Sequence, residues 1–210
     1  MTEKQIRETG YYLTGCALQS ERFSDVKNFY HDISIYVEQI LNEIFGPTYD
    51  FPIRIDIITE ALGAKLVLQP VNIAGDQYQK VSGILLKRKN MFTGEKSTQI
   101  LIDEDANRAN KRYTAAFLLG MMLMHQKEDA YSTEYQILPL KMSAEQLVAE
   151  QFATFLLMPP TLLAQELKEF AAIAPDITQQ EWLRYLSVRA EVEYERAVIG
   201  CMNMQIAGVK

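Results

Sequence analysis

The sequence predicts an α+β fold that is mainly helical, with a small, about three-stranded sheet packed against a buried central helix. Three observations predict it. Apolar residues recur at helical spacing over most of the chain, and three short segments between residues 64 and 103 have strand character. Residues 113–124 are apolar almost all round a helix. A helix of that kind must be enclosed on every side, so we expect it at the centre.

The N-terminal half supplies the first helices and the sheet. Residues 2–45 predict two helices with a break near Ser24, and the second ends at Gly46-Pro47, a pair that terminates helices. A short helix over residues 56–62 ends at Gly63 and is followed by a strand at 64–69. Strands at 81–87 and 98–103, joined by a polar loop, predict a small antiparallel sheet or a hairpin.

The second half is helical. The central helix is predicted over residues 105–125, and another over 143–157, where Ser143 and Gln146 have the spacing of a capping box. Residues 161–170 predict a further helix.

The tail predicts two helices. Thr178 and Glu181 form a second capping box, and Ser187 is expected to cap the final helix. We therefore divide the chain into an N-terminal helical extension at 1–46, a main domain at 47–175 and a helical tail at 176–210.

Composition limits the function classes. The chain has 210 residues, of which 48% are hydrophobic and 23% charged, so disordered and low-complexity classes are excluded. A formal net charge of −6 argues against nucleic acid as a partner. Two His and two Cys leave little for metal sites or disulfides. We expect His31 to be solvated or locally hydrogen-bonded, and Cys16 and Cys201 to be small buried apolar side chains.

The N-terminus is charged and has no apolar signal-sequence core. The most apolar run, residues 115–124, is about ten residues long, whereas a bilayer span needs about 18 or more. We expect a cytoplasmic protein without a membrane partner.

Two strings carry a family resemblance. Residues 112–125 are Arg-Tyr-Thr-Ala-Ala-Phe-Leu-Leu-Gly-Met-Met-Leu-Met-His, and residues 149–159 are Ala-Glu-Gln-Phe-Ala-Thr-Phe-Leu-Leu-Met-Pro. They resemble the active-site helix, Arg-Phe-Thr-x-Ala-His-Glu-x-Gly-His, and the later Ala-Asn-x-Phe-Ala-x-x-Leu-Leu-Met-Pro string of the ImmA/IrrE family of zincin-like metallopeptidases. Residues 52–63, 81–83 and 100–103 are similar to the elements before that helix. The resemblance covers about residues 50–200 and implies a zincin-like fold.

The family's zinc ligands have no counterpart in these strings. In the family, two imidazoles four residues apart bind zinc and the neighbouring Glu is the general base. Those positions hold Phe117, Leu118 and Met121, and the third, acidic ligand position falls on Gln146, with Glu145 beside it. The resemblance thus implies a degenerate member without zinc or another cofactor, in which Phe117 and Met121 fill the former site.

The resemblance also implies a partner class. Active family members cleave or antagonise repressors of mobile elements and stress responses. We therefore expect a catalytically inactive, metallopeptidase-like regulatory module with a protein or peptide partner of the repressor type. Zincin clefts hold extended peptides beside an edge strand, so a strand between residues 81 and 103 is the expected binding edge. The oligomeric state is left open.

Two alternatives use chemistry elsewhere. One is an active peptidase with a displaced metal site centred on His125, together with Glu145 or with the other nearby acids, Glu128, Asp129 and Glu150. The other is a DNA-binding regulator that uses the helix-turn-helix-like tail at 178–204.

Basic residues suggest one further expectation. Lys87-Arg88-Lys89 forms one basic cluster, and Arg108 with Lys111 and Arg112 forms another. Both flank the third strand and could converge on an acidic partner.

Overall fold

The computed structural model describes residues 23–71, 82–89, 96–124, 135–136 and 144–208. Helices and strands follow in this order along the described residues: α1 (Phe23–Phe45), α2 (Ile55–Ala61), β1 (Ala64–Gln69), β2 (Gly83–Lys89), β3 (Lys96–Asp103), α3 (Arg108–Met124), β4 (Tyr135–Gln136), α4 (Ala144–Leu157), α5 (Pro160–Ile173), α6 (Gln179–Ala190) and α7 (Tyr194–Ala207). The predicted α+β, mainly helical fold is confirmed.

The sheet has the strand order β1-β3-β2-β4. β1 runs parallel to β3, with Ala64 opposite Thr98. β2 runs antiparallel to β3, so the predicted antiparallel pairing is confirmed. β4 adds only a two-residue pairing with β2, at Ile84 and Leu85. Three strands therefore form most of the sheet, as expected.

The predicted central helix is α3, and its residues from Thr114 to Leu123 are buried. It lies directly on the sheet at Gly83, where an added Cβ would come within 2.6 Å of the Thr114 methyl carbon and 2.7 Å of the Leu101 carbonyl oxygen. It also packs closely on α4, because a Cβ at Gly120 would lie 3.0 Å from the Ala149 Cα. Side chains on both sides of α3 thus explain its apolar circumference.

One cluster of buried side chains extends from α1 to α7. It includes Ile33 of α1, Ile100 of β3, Phe152 of α4 and Ala197 of α7. The N-terminal helix and the tail therefore share a core with the central elements. The division at 1–46, 47–175 and 176–210 stays a prediction.

Several predicted helix ends agree with the structure. Gly46 and Gly63 have φ angles of 80° and 78°, the left-handed conformation in which glycine commonly ends a helix. Thr178 accepts from the Glu181 amide at 3.3 Å, and the Glu181 carboxylate accepts from the Thr178 amide at 2.9 Å, which confirms that capping box. Ser143 and the first predicted helix up to residue 22 lie outside the described residues.

The predicted cap at Ser187 is wrong. Helix α6 continues through it, and its hydroxyl donates to the Arg184 carbonyl oxygen at 2.9 Å. The helix ends instead at Glu191, which has a left-handed φ of 54°, and α7 begins after the extended residue Glu193. A Ser can bond back to its own helix, so a hydroxyl at cap spacing did not identify the end.

One helical stretch in the described part of the chain, Glu145–Ile173, is long and apolar enough by composition to span a membrane. However, 78% of its most apolar window is buried inside the protein. Packing in the core accounts for that apolarity equally well, so the stretch is weak support for a membrane span.

Candidate functional site

The positions that resemble zinc ligands lie on α3 and are occupied by buried apolar side chains. Phe117 and Met121 are four residues apart and thus share one face of the helix, and they are 5% and 4% exposed. Leu118 is completely buried. The Tyr113 ring lies one turn earlier, with its centroid 6.2 Å from that of Phe117. The face is therefore continuous packed core.

This set of side chains does not fit a catalytic zinc ion. Zinc is held by imidazole, thiolate or carboxylate groups, and its hydrolytic use requires a bound water beside a general base. Phenyl and isobutyl groups have no lone pair, and a thioether is too soft a ligand for this purpose. Neither Phe117, Leu118 nor Met121 can supply these functions.

The predicted third-ligand position lies on the neighbouring helix. α4 meets α3 where Gly120 approaches Ala149 and Phe152. Gln146 is one turn before Ala149 on α4, and both Gln146 and Glu145 are half-buried. The structure therefore brings the turn that carries this position close to the helix that carries Met121.

The residues named for a displaced metal site divide into two groups. His125, Glu128 and Asp129 lie outside the described residues. Among the residues that are described, no group of three or more His, Cys, Asp or Glu side chains could hold a metal ion. Glu150 is described, and it has a different partner.

Glu150 forms a polar cluster with two residues from other helices. It accepts a hydrogen bond from the Arg196 guanidinium of α7 at 2.8 Å. The same guanidinium carbon lies 3.8 Å from the centroid of the Tyr113 ring on α3. We call Tyr113, Glu150 and Arg196 the three-helix cluster. Sequence reasoning missed this cluster, because its members are far apart along the chain and have no motif spacing.

The cluster affects the protonation of nearby phenols. Burial raises the pKa of Tyr113 to about 12, while Arg196 opposes this rise and Glu150 adds to it. Burial also raises the pKa of Tyr30, with a smaller contribution from the Glu150 carboxylate. Both phenols therefore stay neutral near pH 7.

The tail packs on the rest of the protein through its apolar face and its arginines. Trp182, Leu183 and Leu186 are buried. Arg189 binds Asp50 at 2.8 Å and Glu166 at 3.2 Å. Arg196 is engaged by Glu150. Of the tail arginines 184, 189 and 196, only Arg184 makes no ion pair with described residues.

The two basic clusters do not converge, so that expectation is wrong. Arg88 is opposite Ser97 at the start of β3, whereas Arg108 follows the end of β3. The strand rises by about 3.3 Å per residue, so the distance from Ser97 to Asp103 places the two clusters about 20 Å apart along it. Arg108 and Arg112 instead face Glu191, with N–O distances of 2.8 and 3.7 Å.

The sheet order narrows the choice of strand for the predicted peptide binding. β3 lies between β1 and β2, so both of its sides are paired and it cannot accept a peptide strand. Of the two strands between residues 81 and 103, β2 is the one whose second side is only partly paired among the described residues, by β4 at Ile84 and Leu85.

The chain was compared with protein-family models and with curated proteins. A protein-family model described as IrrE N-terminal-like domain, Peptidase_M78, matches residues 72–198. No curated protein matches the chain. The matched region contains the sheet from β2 onwards, all of α3 to α6 and the first residues of α7.

Proposed function

The chain belongs to the IrrE N-terminal-like domain family, whose fold is metallopeptidase-like, and we propose that it is a catalytically inactive member, a pseudoenzyme. One observation carries the proposal. The face of α3 where the family resemblance places two zinc-binding imidazoles and a general base presents Phe117, Leu118 and Met121, all buried.

The physical argument concerns water as well as ligands. Hydrolysis by a zincin needs a metal-bound water molecule with room for the substrate carbonyl. Phe117 and Met121 belong to the continuous hydrophobic core, where close-packed side chains leave no space for water. Restoring one ligand would therefore bury an unpaired polar group and would not restore a reaction centre.

We assign the protein a regulatory or protein-interaction role in the cytoplasm, connected with mobile-element or stress-response regulation. The family scaffold supports this role, because it can bind a partner without cleaving it. Among the described residues, β4 pairs with β2 only at Ile84 and Leu85, and this partly paired side of β2 supports binding of an extended segment by strand addition. A repressor-type protein is the partner class that we propose.

The displaced metal site is the principal competing function. It requires several ligands around His125, but Glu150 is already committed to Arg196 at 2.8 Å. The DNA-binding alternative has similarly little support, because Arg189 and Arg196 of the tail are engaged by acids of the same chain.

A hydrolysis assay tests the proposal. The full chain, purified without a His tag, is incubated with an unfolded protein substrate and added zinc, and peptide-bond cleavage is followed by mass spectrometry. We expect no cleavage above the level of the His125→Ala variant. Zinc-dependent cleavage that disappears in His125→Ala would instead establish the displaced site.

A further inference from the structure

A cavity of about 330 Å³ lies at Tyr113 and Thr114, one turn of α3 before Phe117 and Leu118. Its walls come from the residue before β2, the first half of α3 and the junction between α6 and α7. This volume lies in the range of sites that take small molecules or a side chain of a partner. The lining residues that matter here are Tyr113, Thr114, Val192, Glu193, Glu195 and Arg196.

Thr114 contributes a hydroxyl group to the cavity wall. The side chain is only 2% exposed, and its methyl carbon is the atom directed at Gly83. This leaves the hydroxyl as the branch that can face the cavity. Within the described part of the chain that hydroxyl makes no hydrogen bond, although Thr59 and Thr154 on other helices each donate to a backbone carbonyl oxygen. Since Thr114 lines the cavity and its hydroxyl oxygen is not a fully enclosed atom, a ligand group in the cavity can hydrogen-bond with it.

The charges of the cavity favour a cation. Arg196 is neutralised by its ion pair with Glu150. Glu193 and Glu195 then remain as two negative charges. Glu193 accepts from the Asn107 amide at 2.9 Å through one oxygen only, and Glu195 is exposed and makes no ion pair with any described residue.

We propose that this cavity binds a lysine or arginine side chain of a partner protein. Its cationic group would lie between Glu193 and Glu195, and its aliphatic stem would pack against Tyr113 and Val192. Thr114 would accept from the cation through its hydroxyl oxygen. The inference rests on the proposed function, since it names the partner residue that an inactive interaction module recognises.

Small probes test the chemistry directly. The ¹⁵N-labelled full chain is titrated with N-acetyl-arginine amide, N-acetyl-lysine amide and the neutral analogue N-acetyl-norleucine amide, and amide chemical shifts are recorded by NMR. We expect both basic probes to shift the resonances of Thr114, Val192 and Glu193, with the norleucine probe at least about fivefold weaker.

Variants locate the site. Glu193→Gln and Glu195→Gln keep side-chain size and should together weaken the arginine probe about fivefold or more, whereas Glu60→Gln, an exposed acid on α2, should leave it unchanged. Thr114→Val removes the hydroxyl at nearly constant volume and should weaken both basic probes. Thermal unfolding of each variant establishes that it is folded. If a variant at a less exposed position does not fold, Glu195→Gln alone still tests the contribution of the acidic side chains, because Glu195 is exposed.

Equal binding of the norleucine probe, shifts confined to other surfaces, or unchanged affinity in the double variant would each overturn the inference. These outcomes are distinct from failure of the proposed function. A protein that hydrolyses peptides with bound zinc contradicts inactivity without affecting probe binding at the cavity. A protein that is inactive but ignores basic probes contradicts only the cavity assignment.

Discussion

Arg196 of α7 donates a hydrogen bond to Glu150 of α4 at 2.8 Å, and its guanidinium covers the Tyr113 ring of α3. The three-helix cluster thus fixes the last helix beside the face on which the family resemblance places the zinc ligands. An arginine is suited to this position, because its planar group can bond an acid and stack on a ring at once.

The ion pair is expected to be coupled and stabilising. Arg196→Ala should lower the free energy of unfolding by about 1–2 kcal/mol, because it removes both the hydrogen bond and the ring contact. In a double-mutant cycle with Glu150→Gln, measured by urea denaturation, the coupling should be about 1 kcal/mol, because both side chains are partly exposed. Strictly additive losses would contradict the pairing.

Tyr113 should make stability depend on alkaline pH. Its folded pKa of about 12 is above the ordinary value of about 10. The neutral phenol therefore contributes stability that is fully present below about pH 10 and is lost as pH rises towards about 12. Tyr113→Phe cannot ionise, so its unfolding free energy should fall less than that of the wild type over this window. Parallel pH profiles for the two proteins would exclude the effect.

The assigned ends of the tail helices can be tested with a matched pair of variants. Thr178→Ala removes a complete capping box and should cost about 1 kcal/mol of unfolding free energy. Ser187→Ala removes only a hydroxyl that bonds within α6, so a change of no more than about 0.5 kcal/mol is expected in chemical denaturation. A larger loss from Ser187→Ala would favour the cap predicted from the sequence.

Packing at the positions that resemble zinc ligands should affect the free energy of unfolding. Phe117→Ala is expected to cost about 3–5 kcal/mol, because it leaves a cavity in the core. Met121→Leu keeps the volume nearly constant and should cost less than about 1.5 kcal/mol, so it is the control. If Phe117→Ala were as mild as Met121→Leu, the side chain would not be filling a closed site.

Much of the fold could be predicted because the signals were local. Helix ends at Gly46 and Gly63, the capping box at Thr178 and the hairpin of β2 and β3 each depend on residues close in sequence. The positions of Phe117, Leu118 and Met121 on one buried helix followed from the apolar pattern of α3. The family membership followed from two strings that the family model also covers.

The remaining features depend on long-range contacts. Nothing near Arg196 indicated that Glu150 would bind it, and the same residue was equally compatible with DNA binding. The parallel pairing that places β3 inside the sheet depends on β1, which is about thirty residues earlier, and it determined which strand has both sides paired. The predicted cap at Ser187 was wrong because a serine hydroxyl can hydrogen-bond either at the start of a helix or back to its own helix.

Metal stoichiometry tests the central claim, that the apolar face of α3 has replaced a zinc site. The full chain, purified without a His tag, is equilibrated with zinc, freed of unbound ions and measured by inductively coupled plasma mass spectrometry, with His125→Ala as the matched variant. We predict far less than one zinc per chain and no difference between the two proteins. One zinc per chain that is lost in His125→Ala would contradict the account.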